Sequence, residues 1–458
     1  MSSVELTHMG SQKIPKLLMQ FAIPIVIGML ANAMYNLVDR AFIGNFINKQ
    51  ALTAATVYHP YFMLTIAFSC MVGSGSTAYV SSSFGSKDYP LAQRIFTNAI
   101  TLVLVFMLPL TLVGMLFAPT ILKASGASHE ILPLALEYFY VMALGAPFGG
   151  LAFVLSCLIR SENHPKCALK VTLVGACLNV VLDALFIIVF KMGIFGAGLA
   201  TAISQVVSLI YAISFYYRKE SVLKLKGVHL IPEKMIAKKV ISIGISSSIV
   251  ILSFGLFSLL MNKTLYQYGG DDAIAVMGIL MTLDSLLFLP IIGICDGAQP
   301  IFGYNYGAKN FKRIYETLKF GTLITFLYAC ISFVIVFTLS KYLIAIFTNS
   351  EEIIKEGAKA LRFSYSAVFF AGFGIIMSSL FQALQRVKYC IFLGLARTLL
   401  IFIPLIYILP PLMGLNGAWL CLPAIDFSGS LFGAIFFYFE RKRLNKEEEA
   451  LSLLQSES

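Results

Sequence analysis

The chain has 458 residues, of which 58% are hydrophobic and only 12% are charged, and its mean hydropathy is +0.84. Soluble domains carry about 25% charged residues, so this composition excludes a soluble globular protein. The net charge of +11 does not require a nucleic-acid partner, because Lys and Arg accumulate in the cytoplasmic loops of membrane proteins.

Apolar stretches long enough to cross a bilayer, which takes about 20 residues, recur along the whole chain. Six spans are predicted near residues 15–43, 52–83, 94–118, 131–158, 167–190 and 194–217. Six more are predicted near residues 239–262, 273–304, 317–340, 356–383, 389–411 and 415–439. The sequence therefore predicts an all-α integral membrane protein with twelve transmembrane helices. Met1 to Gln12 has the composition of a short polar tail.

The distribution of positive charge predicts the orientation. When alternate loops are assigned to opposite sides, most of the 34 Lys and Arg lie on the side that holds both termini. The positive-inside rule places that side in the cytoplasm. We therefore expect a multi-pass protein of the plasma (cell inner) membrane with cytoplasmic termini. The richest cationic cluster, between Arg218 and Lys239, predicts a cytoplasmic linker at 218–238.

The sequence contains an internal repeat. A shift of about 222 residues superimposes 75–87 on 297–309, and the register continues to the last span of each half. The repeat predicts an N-lobe at 1–217 and a C-lobe at 239–440, followed by a cytoplasmic tail at 441–458. Because each lobe has an even number of spans, we expect the lobes to be related by a pseudo-twofold axis along the membrane normal.

Four polar residues within the spans of the first half correspond to apolar residues in the second half. The pairs are Asp39 and Met261, Asn179 and Ile401, Asp183 and Leu405, and Thr201 and Leu422. A carboxylate at the centre of a span costs about 2.5–3.5 kcal/mol, so both aspartates should face a cavity or a partner. Residues four apart share a helix face, and all four positions lie at similar depth. The sequence therefore predicts that they converge.

Two ions suit these four side chains. Carboxylate, amide and hydroxyl oxygens suit a hard cation such as Na⁺. Two neighbouring carboxyls can instead share and release a proton. A purely structural alternative is that Arg40 neutralises Asp39 at the membrane interface and that Asn179 only forms a hydrogen bond across helices.

Several motifs together resemble one family. They are the Pro24 to Asp39 pattern, Gly85-Ser-Lys87, Asn179-x-x-x-Asp183, Gly196-Ala-Gly-Leu-Ala-Thr201, and Gly297-Ala-Gln-Pro-x-x-Gly-Tyr-Asn-Tyr-Gly-Ala308. With the twelve spans, they make the chain similar to the multidrug and toxic compound extrusion (MATE) transporters over nearly its whole length. The resemblance implies a cation-coupled antiporter with two six-helix lobes and a central cavity. Its N-lobe cation site maps onto Asp39, Asn179, Asp183 and Thr201.

The resemblance assigns two further residues to this machinery. Tyr35, one turn before Asp39, would line the same pocket. Pro24 lacks an amide hydrogen and can bend the first span, which in the family links ion occupancy to the shape of the cavity.

The C-lobe departs from the family pattern. Some relatives carry a carboxylate in the seventh span, but residues 241–261 contain none. Asp284 and Asp426 are the available substitutes. Asp284 either contributes to substrate or proton binding or pairs with Arg397 in the eleventh span. Asp296 and Asn305, near the end of the eighth span, are expected to stabilise the adjacent loop.

These features predict a secondary active antiporter that exports organic, cationic or amphiphilic compounds in exchange for Na⁺ or H⁺. The alternative is a flippase for a lipid-linked glycan or a related amphiphile. We expect no enzyme and no catalytic residues, because the five histidines are isolated. The expected partners are the lipid bilayer and small organic solutes, without nucleic acid, and the expected state is a monomer. No cofactor is expected beyond the coupling ion.

Overall fold

The computed structural model of the chain describes residues 2–225 and 231–456, and these ranges contain helices and turns but no strand. The helices of the first half are α1 Ser2–Ser11, α2 Ile14–Phe42, α3 Lys49–Val57, α4 His59–Gly85, α5 Tyr89–Leu116, α6 Ala118–Ala124, α7 Leu132–Ser161, α8 Pro165–Asp183 and α9 Gly193–Tyr216. Short π-helical segments, Ile43–Ile47 and Ala184–Val189, continue α2 and α8.

The second half contains longer helices. They are α10 Lys234–Gly307, α11 Phe311–Ala345, α12 Glu351–Tyr365, α13 Val368–Ala383, α14 Val387–Leu395, α15 Ile403–Met413 and α16 Leu415–Ser456, with a π-helical segment, Ala396–Phe402, between α14 and α15. The 74 residues of α10 cannot form one span, because about 20 residues cross a bilayer. Gly270, with φ 64° and ψ −155°, breaks α10 into a first arm (234–269) and a second arm (271–307).

The twelve predicted spans are confirmed. Within the described ranges, ten helical stretches are long and apolar enough to cross a membrane, and the bent pair α12–α13 adds an eleventh. The twelfth comes from α10, which supplies two spans.

The span predicted at 356–383 is confirmed, but it is bent, because its two helices, α12 and α13, meet at 49°. At the bend, Ser366 Oγ donates to the carbonyl of Phe363 at 2.8 Å, a side-chain bond that competes with the helical pattern. The polar tail predicted at the N-terminus is instead helix α1, whose residue Met9 is fully buried.

The internal repeat is visible in the geometry of two turns. Lys87 and Lys309 occupy equivalent positions after α4 and α10, and both have a left-handed backbone, with φ of 60° and 55°. The next residues, Asp88 and Asn310, are the N-caps of the following helices. Each side chain accepts a hydrogen bond from the backbone amide three residues later. The same turn chemistry thus starts α5 and α11, as the repeat predicts.

The chain forms two compact units. Unit 1 contains Met1–Ser11 and Ile27–Leu252, and unit 2 contains Gln12–Val26 and Ser253–Ser458. Both α2 and the first arm of α10 are therefore divided between the units. The predicted limits of the sequence lobes, at residues 217 and 239, stay a prediction.

The first described part of the linker is anchored to unit 1 by Glu162, in the turn between α7 and α8. Ser221 Oγ donates to both carboxylate oxygens of Glu162 at 3.1 Å. The backbone amides of Val222 and Leu223 donate to Oε2 at 2.6 and 3.4 Å. These bonds fix the segment that follows α9. Residues 226–230, within the predicted linker, lie outside the described residues.

The start of α5 holds both ends of the same linker. Gln93 exchanges two hydrogen bonds with the backbone of Lys224, at 2.6 and 2.8 Å. At the far end, Asn98 Oδ1 accepts the amide of Glu233 at 2.6 Å, and Arg94 pairs with the carboxylate of Glu233. The described parts of the linker therefore pack onto unit 1.

Glu162 makes the stability of this anchor depend on pH. The side chain is 2% exposed, and burial raises the pKa of its carboxyl from an ordinary 4.5 to about 8, against the opposing effect of its hydrogen bonds. A raised carboxyl pKa means that ionisation costs more in the folded protein than in the unfolded chain. The contribution of this group to the free energy of unfolding is therefore complete below the pKa of the unfolded chain. It is lost as the pH rises toward the pKa of the folded protein.

We predict that Glu162→Gln flattens the pH dependence of unfolding between about pH 5 and pH 8, because a neutral side chain has no ionisation cost. The difference in the free energy of unfolding between the native chain and the variant should change by at most about 1.4 kcal/mol per pH unit. Thermal unfolding at several pH values measures it, with Glu130→Gln at an exposed site as the control. Parallel pH profiles for the native chain and Glu162→Gln would contradict this assignment.

Candidate functional site

Unit 1 brings together the five polar residues that the sequence places near the cation pocket. They are Tyr35 and Asp39 on α2, Asn179 and Asp183 on α8, and Thr201 on α9. Asp183, Asn179 and Thr201 are only 0%, 2% and 8% exposed. The π-helical segment of α8 begins directly after Asp183, and such segments often occur at functional sites because they re-aim neighbouring side chains.

The carboxyl groups of Asp39 and Asp183 lie close enough to interact electrostatically with each other. Oδ1 of Asp39 and both carboxylate oxygens of Asp183 are buried, and no hydrogen-bond donor reaches them within the described ranges. Two ionised carboxylates in this arrangement repel each other. A proton or another cation between the two groups would relieve this repulsion.

Asn179, one turn before Asp183 on α8, is hydrogen-bonded to Thr201 on α9. Asn179 Nδ2 donates to Thr201 Oγ1 at 3.1 Å, which joins α8 to α9. This bond fixes the orientation of the amide, and Asn179 Oδ1 is left buried without a donor among the described residues. An unpaired amide oxygen thus accompanies the carboxyl pair. The hydrogen bond across helices that the structural alternative expects is present, but it does not satisfy this oxygen.

Two tyrosines complete the surroundings of the carboxyls. Tyr35 is close enough to interact electrostatically with both Asp39 and Asp183. Tyr138, on α7, is 6% exposed and also lies within electrostatic range of both carboxyls. Sequence reasoning missed Tyr138. Its signal is weak, because an aromatic residue in an apolar span is usually a packing residue.

Arg40 does not neutralise the pocket in the way that the structural alternative expects. It acts electrostatically on Asp39, but its side chain is exposed and it donates no hydrogen bond to the buried Oδ1 of Asp39. Pro24 is also outside the pocket. It lies eleven residues before Tyr35 on α2, about 16 Å along the helix axis, and belongs to unit 2.

The polar residues of the second half form separate pairs inside unit 2. Arg397 Nη2 lies 3.1 Å from Asp426 Oδ1, so Arg397 pairs with Asp426 and not with Asp284. The carboxyl of Asp284 interacts with the side chain of Tyr365, and its Oδ1 has no hydrogen-bond partner in the described chain. The pairing of Asp284 with Arg397, which the sequence left open, is therefore not found.

Asn305 stabilises the loop after α10, as the sequence predicts. Its Oδ1 accepts Arg313 Nε at 3.1 Å, and Arg313 Nη2 donates to the carbonyl of Gln12 at 2.8 Å. These bonds tie the end of α10 to the beginning of α11 and to the residues that precede α2.

The chain has relatives of known function and known structure. The sequence profile of the MatE family matches residues 24–185 and 246–408. The multidrug export protein MepA of Staphylococcus aureus is 26% identical over 451 residues, which are 98% of this chain and 99% of MepA. MepA of Staphylococcus saprophyticus is 27% identical over the same length and the same shares.

A crystal structure of a MATE protein in a bent conformation has the same fold. It superimposes with a TM-score of 0.91 at 23% identity, over 97% of this chain and 98% of the other. The family profile covers most of both sequence halves and includes Asp39, Asn179 and Asp183. The chain therefore belongs to the MATE family of membrane transporters.

Proposed function

We propose that the chain exports organic, cationic or amphiphilic compounds in exchange for a cation that binds between Asp39 and Asp183. The observation that carries the proposal is that three carboxyl oxygens of Asp39 and Asp183 are buried without a hydrogen-bond donor among the described residues. Its sequence relatives named above are multidrug export proteins, which supports a small-molecule substrate and does not favour the lipid-linked glycan of the alternative.

The carboxyl pair suits the role of a coupling site. A transporter exchanges an ion for a substrate only when the ion binds one conformation more tightly than the other. Two carboxyls in an apolar lobe bind a cation strongly while they are held together, because water does not screen their charge. Any movement of α2 relative to α8 that separates Asp39 from Asp183 would weaken that binding. Ion occupancy would therefore favour one shape of unit 1.

The neighbours of the carboxyls favour Na⁺ over H⁺ as the coupling ion. A proton shared between Asp39 and Asp183 would satisfy the two carboxyls alone. It would leave Asn179 Oδ1 buried without a partner, which costs about 1–3 kcal/mol. A sodium ion bound by both carboxylates and by the amide oxygen would satisfy all three groups.

The cationic turns support the proposed orientation. Lys87, Lys166 and Lys309 lie at ends of spans that the alternation of loops assigns to one side, together with the described ends of the linker. The positive-inside rule assigns that side to the cytoplasm. We infer that both termini are cytoplasmic, that the chain spans the plasma (cell inner) membrane and that export runs outward. A monomer is the simplest assembly consistent with one pocket per chain.

We predict that Asp183→Asn abolishes ion-driven efflux, because one remaining carboxylate with an amide neighbour has half the charge available to hold the cation. The measurement is export of a fluorescent organic cation from proteoliposomes while sodium and pH are varied independently. The matched control is Asp271→Asn, which changes an exposed aspartate near the break of α10. Undiminished ion-driven efflux in Asp183→Asn would overturn the proposal, and efflux driven by a pH gradient alone would identify H⁺ as the ion.

We also predict that Thr201→Val reduces the stabilisation that sodium gives to the protein, whereas Thr201→Ser preserves it. The valine removes the acceptor that orients the Asn179 amide, and a buried donor without a partner costs about 1–3 kcal/mol. The measurement is the thermal unfolding midpoint of each variant with and without sodium, since a ligand stabilises the state that binds it. Equal sodium-induced shifts in both variants would show that the Asn179–Thr201 bond does not shape the pocket.

A further inference from the structure

Helix α4 and the first arm of α10 cross in unit 1 with their backbones in direct contact. A Cβ atom on Gly244 would collide with the carbonyl oxygen of Met71, and one on Gly75 would collide with the carbonyl oxygen of Val240. The same Cβ on Gly75 would lie 3.1 Å from the amide nitrogen of Gly244. A side chain on Gly75 or Gly244 would separate the backbones, so close approach at this crossing depends on both glycines.

The second arm of α10 and the first part of α2 make a similar crossing in unit 2. A Cβ on Gly297 would lie 3.0 Å from the amide nitrogen of Ala22 and 3.2 Å from its Cα. One turn earlier, a Cβ on Gly293 would lie 3.2 Å from the amide nitrogen of Val26. Here too the two backbones are too close for a side chain on α10.

The internal repeat relates the two crossings. The shift of about 222 residues that aligns the sequence halves places Gly75 on Gly297 and Gly244 on Ala22. Both contacts therefore join a first span to a second span through equivalent residues. In each case the first span comes from one sequence half and the second span from the other, so the halves exchange these segments.

Hydrogen bonds reinforce the crossing in unit 1. Ser74 Oγ and Ser247 Oγ are 2.9 Å apart, and Ser248 Oγ donates to the carbonyl of Ala67 at 2.6 Å. All four residues lie on α4 or on the first arm of α10. Separating these helices would break backbone packing and hydrogen bonds together, in surroundings where lipid offers no replacement partners.

Each exchanged segment leaves its unit soon after its crossing. Helix α2 passes from unit 2 to unit 1 after Val26, and the first arm of α10 passes from unit 1 to unit 2 after Leu252. Shortly after Leu252, a Cβ on Gly255 would meet nothing within 4 Å. The change of unit thus follows the tight crossing in both helices.

The geometry points to the two crossings as permanent pivots of the transport cycle. The segments 14–26 of α2 and 234–248 of α10 keep their partners in every conformation. Changes of shape occur in the segments that follow, 27–34 and 249–255. A packing contact that both halves need for this purpose appears twice in the repeat, whereas the carboxyl pair appears once. The inference requires only that the chain transports a solute, and it does not depend on which ion drives transport.

Alanine substitutions along α10 test the steric part of this inference. Gly244→Ala and Gly297→Ala should lower the thermal unfolding midpoint and reduce transport, because each new Cβ pushes the paired backbones apart. Gly278→Ala is the matched control on the same helix, at a position where a Cβ meets nothing within 4 Å. It should unfold at an equal or higher temperature, since alanine favours a helix over glycine. Equal behaviour of all three variants would overturn the assignment of the crossings.

A disulfide across the crossing in unit 1 tests whether α4 and the first arm of α10 stay in contact throughout the transport cycle. The Ser74 and Ser247 hydroxyls are 2.9 Å apart, so the pair Ser74→Cys and Ser247→Cys is placed to form a bond on oxidation with diamide. The assay uses a dye that the unmodified chain is first shown to export, and mass spectrometry verifies the bond, since the chain has eight native cysteines that could also react. Full transport in the oxidised protein is expected. Loss of transport on oxidation, with recovery on reduction, would show that the helices part during the cycle and would overturn the proposal.

Discussion

The central interaction of unit 1 is the electrostatic one between the carboxyl groups of Asp39 and Asp183. In a membrane-embedded lobe, negative charge without hydrogen-bond donors is costly. No described donor reaches three of the four carboxyl oxygens. We propose that a mobile cation compensates this charge and that the two carboxyls form its binding site.

The surrounding residues hold the carboxyls at the distance at which they interact. The Asn179–Thr201 hydrogen bond joins α8 to α9, and Tyr138 places α7 beside both acids. Three helices are thus fixed around Asp183. Asp39 lies instead on α2, whose first part belongs to the other unit. One acid of the pair is therefore carried by a helix whose residues are divided between the two units.

Much of the fold was predictable from the sequence, because spans in lipid need long apolar stretches and the repeat fixes their order. The convergence of Asp39, Asn179, Asp183 and Thr201 followed from their helical spacing. The helix α1 and the place of the bend between α12 and α13 were not predictable, because Met9 is buried by tertiary packing and Ser366 acts through a local side-chain bond. Tyr138 was missed because aromatic residues serve packing and polar contacts alike. The pairing of Arg397 with Asp426 depends on side-chain orientation, which spacing does not determine.

The two acids can be examined most directly through a double-mutant cycle of Asp39→Asn and Asp183→Asn, with the unfolding free energy measured without sodium at alkaline pH. If the carboxyls repel each other across one shared cation site, either single substitution relieves the repulsion and the second adds little, which gives a coupling energy of about 1 kcal/mol or more. Strictly additive effects would mean that the two carboxyls do not interact, and the central claim would fail.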